Sequence, residues 1–184
     1  MYAARRTYVK QWDHEPPEKT FTVSVSLGGK PYKGIEPERI SYVEEEIMYW
    51  RKANHIHAWF VENVQDGEDD CKSYYVSKEK LEELLSVCKQ VLKSSELVDG
   101  MITNGTEYSK DHPNGKALVE PGKVIKDPTV AKKLLPTQEG FFFGSYEYDE
   151  WYLGDVQTTH DWIVRTLGEE GRYPDSSIMY HSSW

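Results

Sequence analysis

SYVEEEIMYWRKANHIHAWFVENVQ, residues Ser41–Gln65, reads as one long amphipathic helix around which the rest of the chain packs. Ser41 followed three residues later by Glu44 has the form of a capping box, in which hydroxyl and carboxylate each satisfy an orphan N–H. Ile40, Val43, Ile47, Trp50, Asn54, His57, Val61 and Val64 then alternate spacings of three and four, which places them on one helix face. Six of these eight are apolar. The exceptions, Asn54 and His57, sit one turn apart in the middle of the stripe, beside Arg51.

The totals bound the rest. A chain of 184 residues can bury a sizeable core without staples. The hydrophobic share of 38% is low, but 13% of the residues are aromatic, which argues against disorder. Cys71 and Cys88 make neither a disulfide framework nor a zinc site. No apolar run approaches the length of a membrane span, and the start, MYAARRTYVKQW, lacks the core of a signal peptide. The expected compartment is the cytoplasm. Net charge is −9 and unevenly placed: residues 36–70 carry a net of −7 and residues 139–161 a net of −6. Both segments are rich in aromatic residues. Direct nucleic-acid binding is disfavoured, because it rests mainly on Lys and Arg neutralising phosphates. An acidic face steers a basic protein instead, or serves only as a solvated surface.

Along the chain, Thr7–Trp12 suggests a short strand, and Lys19–Leu27 alternates cleanly as a half-buried one. Asp66-Gly67-Glu68-Asp69-Asp70 ends the long helix; its spacing does not match a calcium loop, and no metal site is expected. Ser77 caps a second helix, Lys78–Ser94, with Leu81, Leu84, Leu85, Cys88, Val91 and Leu92 on one face. That helix is expected to pack antiparallel against the first. Residues 117–125 suggest a small hairpin turning at Glu120-Pro121-Gly122-Lys123. Asp127-Pro128 opens a short helix that Pro136 stops. Gly140–Ser145 reads as a buried aromatic strand, and a last helix runs from about Glu147 to Leu167. The fold class is therefore α+β and mostly helical: two long helices and a C-terminal helix packed with a small antiparallel sheet, in one domain over residues 1–168. Residues 169–184 are expected to be a loosely held tail.

Three readings compete for function. First, Glu45, Glu46, Glu68, Asp69, Asp70, Asp149 and Glu150 form an acidic, aromatic surface for a partner with a basic surface. Second, Trp50, Arg51, Asn54, His57, Trp59 and Phe142 line a pocket. Aromatic walls with an Arg suit a nucleotide-like ligand. Asn54 and His57 can equally be a satisfied buried pair. Third, His57 acts as an acid or base, with Asp149 or Glu150 as its partner. No nucleophile elbow, phosphate-cradling loop, metalloprotease helix or CxxC supports an enzyme, and no cofactor is expected.

The segments YWRKANHIHAWFVENVQDGEDDC, YYVSKEKLEELL and LLPTQEGFFFGSYEYDEWY resemble those of a family of small acidic proteins encoded by bacteriophages and prophages. The resemblance covers most of residues 38–152. It carries no established activity and no catalytic residue. What it implies is context: an accessory protein in the cytoplasm of a bacterial host, of the kind that inhibits host factors. Such proteins include anti-CRISPR proteins and others that sequester nucleotide immune signals. A structural phage component is the remaining expectation.

Overall fold

A computed structural model describes residues 1–10, 21–113, 115–138, 145–169 and 171–183. The stretch 41–65 is not one helix. It is a strand, a turn and a helix. Strand β1 (Tyr2–Tyr8) pairs antiparallel with strand β4 (Tyr42–Tyr49) over the register Tyr2↔Tyr49 to Tyr8↔Tyr42. Between them in sequence lies a short hairpin, β2 (Ser26–Leu27) with β3 (Lys30–Pro31). After β4 the chain turns through Lys52, whose φ of 63° is left-handed, and helix α1 begins at Asn54 and ends at Val64. The expected capping pair Ser41 and Glu44 therefore caps nothing: Glu44 pairs with Arg6 across the strands.

Strand β5 (Ser73–Val76) leads into helix α2 (Lys78–Ser94), whose Ser77 side chain accepts from the Lys80 N–H, as read from sequence. A long hairpin follows, β6 (Leu97–Glu107) with β7 (Lys116–Ile125). The segment expected to turn at residues 120–123 continues straight as β7. Gly100 faces Gly122 in that register, and a Cβ at Gly122 would stand 2.5 Å from the Ile102 side chain. The two strands meet the side chains around them at a distance only glycine permits. Helix α3 (Thr129–Leu134) and helix α4 (Glu150–Gly168) come next. Strand β8 (Ser176–His181) follows them.

The main sheet has the order β4-β1-β8-β5, all antiparallel. The tail expected to be loose thus supplies an inner strand. Its serines hide it in the sequence, but Tyr180 is fully buried. Helix accounts for 34% and strand for 31% of the described residues, so the fold is α+β but not mostly helical. Helix α2 packs chiefly on α4, not on α1. Of the expected Lys19–Leu27 strand, only Ser26–Leu27 pairs as a strand among the described residues, and those from Phe21 on are mostly exposed. Phe142 and the rest of the aromatic run 140–144 lie outside the described residues, as do Gln11 and Trp12.

One face of the sheet meets the helices. Ala3, Met48, Trp50, Val76 and Tyr180 pack with Ile56 and Phe60 of α1, Leu84 and Cys88 of α2, and Val156, Trp162 and Ile163 of α4. Phe60 stacks on Tyr180 at 4.0 Å between ring centroids, and Trp50 meets Trp162 edge-on at 5.2 Å. The Trp50 indole N–H donates to Thr159 Oγ1 at 2.8 Å, which satisfies the one polar atom that this ring carries into the core. A bulge at Ile47 resets β4, so that Met48 and Trp50 reach the core while Tyr42–Glu46 stay exposed on both sides of the strand.

Candidate functional site

Helix α1 carries the polar residues the sequence singled out. Asn54, at its first position, is 1% exposed and well used: Oδ1 accepts from the Gln138 N–H at 2.9 Å, and Nδ2 donates to the Ser145 carbonyl at 3.1 Å. It ties α1 to residues 138 and 145. His57 is 2% exposed, with Nδ1 2.6 Å from Tyr180 Oη and Nε2 3.1 Å from Asp69 Oδ2. Burial pushes the Tyr180 phenol far up, and the Asp69 charge adds to it, so Tyr180 remains an O–H donor. His57 Nδ1 then accepts and Nε2–H donates to Asp69. Burial pushes the His57 pKa down and Asp69 opposes it. Both ring nitrogens are occupied, which fits a buried lock between α1, β8 and the loop 66–70 better than a working base.

Of the six residues expected to line one pocket, the five that are described separate. Trp50 is in the core. His57 and Trp59 line a cleft of about 430 Å³ with Glu62, Asp69 and Leu135. Arg51 and Asn54 line a second cleft, of about 450 Å³, with Asn104 of β6 and Glu147, Asp149, Trp151 and Asp155 at the start of α4. His55 lines both. On a helix His55 points about 200° away from His57, so the sequence offers that pair no zinc motif, and it does not mark Asp155 at all. Neither could be placed without knowing that α1 meets the N-terminus of α4. Burial drives the His55 pKa down to about 3, and its ring lies 4.2 Å from that of Tyr152. Asp155 is pushed up to about 7, by burial first and then by Asp149.

The residues expected to bind a partner also separate. Asp149 is the N-cap of α4: its Oδ1 accepts from the N–H groups of Trp151 and Tyr152 at 3.0 and 2.9 Å. Glu150 accepts from the Lys123 N–H. Asp70 accepts from the Lys72 N–H and the Tyr74 hydroxyl and pairs with the Lys72 ammonium. Asp69 holds His57. These four serve the fold, whereas Glu45, Glu46 and Glu68 are exposed.

Among the described residues no three His, Cys, Asp or Glu side chains are grouped to hold a metal ion. Cys71 is an exposed thiol, and burial pushes the Cys88 thiol up to about 12. No described helix is long and apolar enough to cross a membrane. Compared with known proteins, the chain matches no family model, no curated protein and no solved structure.

Proposed function

We propose that the chain is a non-catalytic binding protein that docks a basic protein on outer strand β4 and the sheet face beside it. The observation that carries this reading is Tyr42–Glu46: five consecutive exposed residues on an outer strand, with carboxylates at Glu44, Glu45 and Glu46. An outer strand is a template for added strands, and charge on it discourages self-pairing. Protection needs only charge. This strand also exposes Tyr42, Val43 and Tyr49, and the register puts Tyr8, Tyr42 and Tyr75 on the sheet face away from the helices. Arg6 lies 4.4 Å over the Tyr42 ring and pairs with Glu44, holding that ring and carboxylate in place. Carboxylates flanked by tyrosines repel a second copy of the same strand and attract a Lys- or Arg-rich one.

The proposed setting is the cytoplasm of a bacterial host, where a phage or prophage accessory protein inhibits a host factor, as anti-defence proteins do. The segment resemblance alone supports that setting. A nucleotide-like ligand at α1 is not favoured, because Arg51 shares its cleft with Glu147, Asp149 and Asp155. The test is the double variant Glu45→Lys, Glu46→Lys. Both side chains are exposed, so its thermal unfolding should match the parent's. Its affinity for the partner at low salt should fall by about tenfold or more, as reversed charges at an interface do. Unchanged affinity in a folded double variant would remove the β4 reading.

A further inference from the structure

The second cleft, between α1, β6 and the start of α4, holds polar atoms that the fold itself leaves unused. Asp149 is 1% exposed, and its Oδ2 has no hydrogen-bond partner among the described residues, although Oδ1 caps the helix. His55 is 3% exposed, and its Nε2 has none either. Both line the same cavity of about 450 Å³, and Asp155 lines it with them. Buried polar atoms almost always find a partner, so two in one cleft mark a place where a partner is supplied from outside.

The chemistry of that partner follows from the atoms. Carboxylate oxygens only accept, and two carboxyl groups within each other's field favour a cation between them. Glu147 adds negative charge, although its oxygens already accept from the N–H and hydroxyl of Thr103. Trp151 lines the cleft and is 62% exposed, and an indole there suits an alkyl chain or a cation. Arg51 and Lys52, both exposed, line the same cleft. They disfavour a compact dication and leave room for one positive group on a longer body. A phosphate would meet three carboxyl side chains.

We infer that this cleft binds a protonated amino or guanidino group, with Asp149 and Asp155 as its carboxylate partners, His55 as a further polar contact and Trp151 over its alkyl chain. None of these residues lies on β4, so the inference stands or falls apart from the docking reading. The group could belong to a free amine or to a Lys or Arg side chain of a protein.

Isothermal titration of the full chain with agmatine, and separately with Nα-acetyl-arginine amide, tests it. Saturable one-to-one binding of either probe is expected. It should weaken about tenfold or more in Asp155→Asn and in Asp149→Asn, the latter keeping a good helix cap. Trp151→Ala should weaken it severalfold. Thermal unfolding of Asp155→Asn at or above the parent's temperature identifies the loss as one of contact rather than of fold. Agmatine alone binding points to a free amine; the blocked arginine binding as well points to a protein side chain. No saturation by either probe at millimolar concentration, or binding that both Asn variants leave intact, overturns the inference.

Discussion

The two histidines of α1, two residues apart within one turn, are both buried and act on acid stability in the same direction. A histidine whose pKa is lowered in the folded state lends stability above its unfolded pKa of about 6.5 and loses it as pH falls toward the folded value. For His55 that window runs from 6.5 down to about 3. The loss reaches on the order of 3 kcal/mol by pH 4, at about 1.4 kcal/mol per pH unit. His55→Phe, which can keep a ring against Tyr152, should flatten the acid limb of a stability–pH curve; an unchanged limb would show that His55 is not buried neutral. Asp155 has the opposite sign. Its pKa is raised to about 7 from 3.8, so its contribution is present below pH 4 and is lost as pH rises to 7. Asp155→Asn should match the parent near pH 4 and exceed it at pH 8 by on the order of 1–2 kcal/mol, after discounting for partial exposure. Equal stability at both pH values would place that carboxyl in water. At this scale the sequence spoke in part. Asn54 and His57 stood out as polar residues on an apolar stripe, but their partners are 84 and 123 residues away, a separation no spacing rule reaches.

At the scale of elements, helix α2 was legible to the residue. Its cap, stripe and charged face all point to the same state. The stretch 41–65 misled for a definable reason. Positions four apart, such as Val43 and Ile47, share a face in a strand as in a helix, and the Ile47 bulge shifts the phase so that Trp50 falls into step with the real helix after it. Pairing with β1 then decided the matter, overriding the helix propensity of Glu44-Glu45-Glu46. Strand β8 misled in the other direction. Ser176, Ser177 and Ser182 around it read as a polar tail, yet it lies between β1 and β5 and bonds both. Ending the chain after Arg172 should therefore leave two unpaired inner edges and remove Tyr180 from the core. Loss of cooperative unfolding is the expected outcome, followed by circular dichroism; a truncated chain that unfolds as sharply as the parent would refute β8 as an inner strand.

For the whole molecule, the net charge of −9 is less informative than where the charges work. The two acidic segments looked alike in sequence and have different fates. Asp149 and Glu150 are drawn into capping α4 and fastening it to β7, while Glu45 and Glu46 remain on an outer strand with exposed tyrosines nearby. Sequence could count the carboxylates but not say which the backbone would consume. An attraction built on the remaining ones is screened over about 8–10 Å at ordinary salt, so it should weaken steeply as salt rises. The most direct measurement is native mass spectrometry of tagged protein purified gently from bacterial cells, the setting proposed above, parent beside the Glu45→Lys, Glu46→Lys variant. The account predicts a stoichiometric basic protein on the parent, released by salt and missing from the variant. A complex that persists through both the salt and the charge reversal, or a parent that emerges with no partner bound, would contradict it.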